Sequence, residues 1–169
     1  MPPSKRLQFK TPAKINLGLQ INKKRKDGFH ELETLFQMVA WFDDIELEEA
    51  QEKVELFCDT PGIPNDKTNL VVKAARLLQN RFPGKCGGVK IKLKKNIPSG
   101  AGLGGGSGNA AGVLLALNHL WNLKIPRKEF EKDIGKLTKE MQMKIALFGT
   151  TLESFDDNEI ELEIFPNII

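Results

Sequence analysis

The residues best suited to chemistry form one glycine-rich run, Pro98-Ser99-Gly100-Ala101-Gly102-Leu103-Gly104-Gly105-Gly106-Ser107-Gly108. Glycine has no Cβ, so its backbone reaches positive φ and approaches a ligand closely. Residues of this kind in succession turn several N–H groups toward one point and form a nest for an anion. An apolar helical pattern follows at once, with Ala110, Ala111, Leu114, Leu115 and Leu117 inside it. The unpaired amides at the start of such a helix, and the positive end of its dipole, add to the same attraction. Phosphate is the guest this spacing suits.

Other readings compete for the same run. A flexible linker would explain the glycines, but linkers do not usually join a well-patterned strand to an apolar helix. A Walker A loop ends in Gly-Lys-Ser/Thr, and here the next lysine is Lys124. The stretch Gly100-Ala101-Gly102-Leu103-Gly104-Gly105 fits GxGxxG. A dinucleotide unit would need a further strand with an acidic ribose ligand, and residues 120–125 make a poor strand. A tight turn with no ligand remains open.

The elements that must hold this run can be read from periodicity. In residues 7–22, Leu17, Leu19 and Ile21 alternate with polar or small neighbours, which predicts a half-buried strand. Asp27-Gly28 signals a turn after the charged, solvated run of residues 23–26. Residues 31–41, apolar at Leu32, Leu35, Phe36 and Val39, stay ambiguous between a short helix and a strand. Residues 45–49 and 54–57 read as strands, and 61–66 as a loop. Asn69 opens a helix carrying Val71, Ala74, Ala75, Leu78 and Phe82, which Pro83-Gly84 stops. Val89, Ile91 and Leu93 alternate with Lys90, Lys92 and Lys94, a strand with one wet face. The helix after the glycines is expected over about residues 107–119, with His119 structural. Another helix is expected from Pro126, with one apolar face from Phe130 to Phe148. Ile160, Leu162 and Ile164 alternate with glutamates in the tail. Strands come mostly first and helices later, with no regular βαβ repeat, so the fold class is α+β.

Composition narrows the functions further. A chain of 169 residues, 40% hydrophobic and 28% charged, can bury a core and carries no disordered tract. A net charge of only +3 suits an anionic small molecule at least as well as a polymer. No apolar run approaches the roughly 20 residues of a membrane span. The start of the chain is too short and polar for a targeting peptide. Cys58 and Cys86 stand far apart, with neither a zinc nor a disulfide pattern. The expectation is a soluble, cytoplasmic protein with no nucleic-acid or membrane partner.

Several separated motifs then resemble, in order, the 4-diphosphocytidyl-2-C-methyl-D-erythritol kinases of the GHMP kinase family. They are Pro12-Ala13-Lys14-Ile15-Asn16-Leu17, Asp27-Gly28-Phe29-His30-Glu31-Leu32 and Thr34-Leu35-Phe36-Gln37. Asn69-Leu70-Val71, Lys73-Ala74-Ala75, Ile97-Pro98, the glycine run and Leu117-Asn118-His119-Leu120-Trp121 continue the series. The resemblance runs from about Phe9 to Leu137 and implies two segments, a nucleotide- and substrate-binding domain over 1–137 and a divergent stretch over 138–169. The fold it implies is the GHMP-kinase N-terminal domain (like domain 2 of ribosomal protein S5), a mixed sheet packed against helices. The C-terminal kinase domain is then expected to be missing, and self-association is expected through the uncovered inter-domain face.

The resemblance also implies roles. The glycine run would hold the phosphates of ATP with magnesium, and Asn69 would line the adenine pocket. Lys14 would aid phosphoryl transfer, with Asn16 contacting substrate nearby. Phe29 and His30 would stack on and hydrogen-bond the cytosine of diphosphocytidyl methylerythritol, with Phe29 standing where the family commonly has tyrosine. The reaction implied is ATP-dependent phosphorylation of a hydroxyl of that substrate. Taken without the motifs, Lys14 reads as a solvated edge charge and His30 as a surface residue.

The chain departs from the family pattern at Gly108, where a second serine is typical, and after Leu137. The family's Gly-Ala-Asp-Val-Pro segment is replaced by Thr138-Lys139-Glu140-Met141-Gln142, so Glu140 falls at the position of the catalytic aspartate. A carboxylate displaced by about an ångström would slow transfer about 10²-fold. A catalytically inactive module that binds ATP or a partner is therefore the competing function. A nucleic-acid-binding domain would use Lys90, Lys92, Lys94 and Lys95, but these lack interleaved aromatics.

Overall fold

Period-two alternation along three chain segments places one apolar face on a single sheet. The computed structural model describes residues 5–24, 30–126, 129 and 160–162. β1 (Arg6–Lys24) and β2 (His30–Ala50) form a long antiparallel ribbon, followed by β3 (Val54–Phe57), α1 (Leu70–Arg81), β4 (Gly88–Lys94), α2 (Gly105–Leu120) and β5 (Ile160–Leu162). The sheet order is β3-β4-β2-β1-β5, antiparallel at β1–β2 and β2–β4, and parallel at β3–β4 and β1–β5. The mixed sheet with helices agrees with the α+β expectation. One parallel crossover, β3–α1–β4, is present.

Val89, Ile91 and Leu93 of β4 are buried while Lys90, Lys92 and Lys94 are exposed, as the alternation requires. Leu7, Phe9, Thr11 and Ala13 of β1, with Asp43, Ile45 and Leu47 of β2, continue the buried face. α2 packs against β1, β2 and α1 and is buried almost all round, at Ala110, Ala111, Val113, Leu114, Ala116, Leu117 and Leu120 among others. A helix apolar on every side belongs in the middle of a core. α1 buries only one stripe, from Val71 to Leu78.

Three differences from the sequence reading have physical causes. Residues 31–41, whose spacing suited either element, lie in β2, because a ladder with β1 runs as far as His30. Residues 45–49, read as a separate strand, belong to that same β2. Leu17 and Ile21, expected on a half-buried strand, are exposed, as are Leu35 and Ile15. Among the described side chains of β1 the buried ones end at Ala13, so alternation identified the strand but not which half is covered. The helix expected from Pro126 lies outside the described residues, as does Ile164, whereas Ile160 and Leu162 form β5 beside Leu7 and Phe9.

Leu114→Ala, which empties a fully buried position, is expected to lower the unfolding free energy by about 2–5 kcal/mol. Leu17→Ala should change it by less than about 0.5 kcal/mol. Urea titrations of both variants check the contrast; equal losses would contradict the placement of the core.

Candidate active site

The glycine run is held at its entry by one carboxylate. Beyond Lys94 the chain leaves β4, and Asp43 of β2 accepts the backbone N–H groups of Asn96 at 2.7 Å and Ile97 at 2.8 Å. The same carboxylate pairs with the Lys95 ammonium, and both side chains are almost fully buried. The adjoining Asn96 side chain donates to the Phe42 carbonyl at 2.8 Å and to Asp44 at 3.0 Å. Pro98 therefore begins from a fixed point.

The loop itself alternates in hand. Gly100, Gly102 and Gly104 have φ of 77°, 73° and 73°, whereas Ala101 and Leu103 are not among the residues of positive φ. Such alternation is the backbone pattern that gathers N–H groups into an anion nest. No atom lies within 4 Å of the Cβ positions that Gly100 and Gly102 lack, so that side of the loop is open. At its far end the loop is tied to β1, where the Lys14 N–H donates to the Leu103 carbonyl at 2.9 Å. Two residues earlier, Pro12 sits beside a register shift between β1 and β2, at a position where its missing N–H does no harm.

α1 and α2 begin differently. Asn69 caps α1, accepting the Val71 N–H on its side-chain oxygen at 3.1 Å. α2 is preceded by Gly104 in the left-handed region, with no side chain to cap the first turn. Its ladder opens with Gly108 N–H donating to the Gly104 carbonyl at 2.9 Å. The amides ahead of Gly108 are the ones a helix start leaves without intrahelical partners.

Lys14 lies against this opening. A Cβ on Gly104 would stand 3.0 Å from Lys14 Cγ and 3.2 Å from Cε, so the lysine stem runs across the glycine face. Its ammonium donates to Asn16 Oδ1 at 3.1 Å and sits 5.1 Å from the centre of the Phe36 ring. Among the described residues no carboxylate pairs with it. Burial lowers its pKa below the ordinary 10.5, because the charged form loses hydration. The ring face and one neutral acceptor orient the cation without cancelling it.

The structure thus brings Lys14, Asn16 and the glycine run together. Asn69 is close by, since a Cβ on Gly106 would lie 3.6 Å from Leu70 Cδ1. Its amide is engaged with its own chain at both ends, for the nitrogen donates to the Pro64 carbonyl at 2.8 Å. Gly108 has ordinary room for a side chain, with Pro12 O at 3.5 Å from a Cβ there. Phe29 and Glu140 lie outside the described residues, and of His30 only the backbone, at the start of β2, is described. Sequence reasoning gave no role to Phe36, although it stood in a quoted motif. It also passed over Thr11, Asp43 and Asn109, and placed Lys95 only on the lysine-rich strand face. The one signal for Asp43 was a pair of aspartates ahead of an apolar strand.

Comparisons with known proteins point to one kinase family. The model of the GHMP kinases N terminal domain matches residues 69–149. A protein of Acaryochloris marina named 4-diphosphocytidyl-2-C-methyl-D-erythritol kinase is 47% identical, over 85% of this chain and 46% of its own length. One of the same name from Chlorobium chlorochromatii is 40% identical, over 95% of this chain and 59% of its own length. The chain therefore spans about half the length of the curated relatives it matches. The crystal structure of a 4-(cytidine 5'-diphospho)-2C-methyl-D-erythritol kinase superposes with a TM-score of 0.62 at 40% identity, covering 76% of this chain and 46% of that one. Mevalonate pyrophosphate decarboxylase from Streptococcus pyogenes shares the fold, with a TM-score of 0.62 at 16% identity over 88% of this chain and 47% of its own.

Two glycines of the run should respond oppositely to alanine. Gly104→Ala forces an L-residue into the left-handed region, at about 1–2 kcal/mol, and pushes on the Lys14 stem. Gly108→Ala meets no close atom and replaces a helical glycine, so it should gain up to about 1 kcal/mol. Thermal and urea unfolding of the two variants test this; a stable Gly104→Ala would contradict the left-handed N-cap.

Proposed function

We propose that the chain is the N-terminal domain of a GHMP kinase, that it binds ATP and that it serves phosphoryl transfer to a hydroxyl of 4-diphosphocytidyl-2-C-methyl-D-erythritol. The observation that carries this is the uncapped start of α2, following an alternating glycine loop, with a lysine across its face that has no carboxylate partner among the described residues. A triphosphate supplies the negative charge that such donors lack, and the transferred phosphoryl group needs alignment and charge compensation more than covalent chemistry. The names of the relatives support the substrate.

The residues divide the work. The glycine run, Pro98 to Gly108, would hold the phosphates through backbone amides that begin at Ser99, since proline has no N–H, and the Lys14 ammonium would offset charge that grows on them during transfer. Phe36 and Asn16 keep that ammonium in place. Asn69, by capping α1 and bonding Pro64, would shape the adenine side without giving up its own hydrogen bonds. Phe29 and His30 would grip the cytosine, and Glu140 is the candidate to take the hydroxyl proton. Among the described residues no cluster of three or more His, Cys, Asp or Glu could hold a metal. Magnesium would therefore arrive with the nucleotide, and Ser107 in the first turn of α2 offers a hydroxyl near the bound phosphates.

Titration with ATP and magnesium should move the amide signals of Gly102 to Ser107; unmoved signals would sink the reading. With both substrates present, ADP release should fall about 10²–10³-fold in Lys14→Ala. ATP binding without turnover in the unmutated chain would favour the inactive-module alternative.

The charged form of Lys14 is the working one, and burial makes it lose its proton more easily. kcat/KM, which reports the free protein, should therefore fall as pH rises, and begin to fall below the ordinary lysine range around 10.5. Lys14→Arg, which stays charged, should remove that alkaline limb whatever its absolute rate. A limb unchanged in Lys14→Arg would assign it to another group.

A further inference from the structure

A polar layer runs beneath the phosphate loop. Among the described residues, the buried polar or charged ones are Thr11, Asp43, Ser107 and Asn109. Thr11 of β1 donates to Asn109 of α2 at 2.6 Å. In the β1–β2 ladder Thr11 stands opposite Asp43, and Asp43 pairs with Lys95. Ser107 and Asn109 lie in the first turns of α2. Buried polarity in this domain is therefore gathered under the glycine run.

The placement of Lys95 is the part that packing does not explain. A Cβ on Gly105 would lie 3.0 Å from the Lys95 ammonium, so the cation is pressed against the first residue of α2. The N-terminal end of a helix is already positive, and a lysine there is disfavoured. Burial of a Lys–Asp pair is itself weak evidence for stability, since apolar residues of similar volume often do as well. The pair gains a purpose when an anion binds on the other side of Gly105.

We propose that Lys95 and Asp43 are positioning residues for nucleotide phosphate. Asp43 fixes the entry of the loop through the amides of Asn96 and Ile97, and it holds Lys95 behind Gly105, where the ammonium reinforces the field of the loop amides. This rests on the reading of the run as a phosphate site. The site then has two cations with different tasks. Lys14 lies in front of the loop with no carboxylate partner among the described residues, free to follow the charge that moves. Lys95 is fixed behind it, and its charge is offset by Asp43 until phosphate competes for the same field.

The test separates support of the fold from support of the ligand. Lys95→Met alone leaves Asp43 buried and unpaired and is expected to unfold readily. The double variant Lys95→Met with Asp43→Asn removes both charges but keeps the oxygen that accepts the Asn96 and Ile97 amides, and its unfolding midpoint should stay near that of the parent. Its dissociation constant for ATP with magnesium, by calorimetry, should rise about tenfold or more, the scale of a lost charged partner. Parent-like affinity in a folded double variant would overturn the proposal. A second measurement needs no mutation: on ATP addition to the parent chain, the Lys95 side-chain NMR signals should shift together with the Gly105 amide. A Gly105 amide that moves while Lys95 does not would overturn this inference alone. Silence of both would overturn the phosphate reading and this inference with it.

Discussion

A loop made largely of glycine has no rigidity of its own, so something outside it must fix where its amides point. Here that constraint is the Asp43 carboxylate, fully buried and accepting two successive loop-entry amides besides its ion pair with Lys95. A buried carboxylate is stable only when its oxygens are taken up by donors, and these donors all come from residues 95–97. The requirement works in both directions: the carboxylate needs the loop entry in place, and the loop entry is held by the carboxylate. The other end is fixed by β1, through the Lys14 amide and the Leu103 carbonyl. Between the two anchors, the glycines at 100, 102 and 104 take the positive φ that the turn requires.

The second anchor ties binding to reactivity. Lys14 holds the loop by its backbone while its side chain crosses Gly104, so loop position and ammonium position are set by the same residue. A Cβ at residue 104 would disturb both at once. The ammonium is oriented by an aromatic face and an amide oxygen rather than by a carboxylate. That choice keeps the full charge for a ligand, at the expense of hydration, which is why its pKa drops.

Much of this was legible in the sequence, for identifiable reasons. The glycine run, the strand at 89–93 and the capped helix after Asn69 each had a local cause, and local causes survive in the fold. Residues 31–41 had none strong enough; their state was decided by pairing with β1, which no spacing within the segment records. Exposure of Leu17 and Ile21 was equally hidden, because burial depends on how far the helices reach across the sheet. Lys95 looked like one more member of a lysine-rich strand face. Its partner lies 52 residues away, and only the β2–β4 register brings the two together.

The contrast between the two helix starts shows how the layers of the domain depend on one another. A side-chain cap is worth about 1 kcal/mol, and α1, which buries only one stripe, has it. α2 has none, and it contains several glycines in its first turns. Such a helix would be marginal alone. It persists because nearly its whole circumference is packed between β1 and α1, so the core, not the terminus, holds it in place. The helix start then needs no side-chain cap to hold its place. Had the stable position been the terminus and the loose one the core, a ligand would have had to organise the helix before it could be held by it.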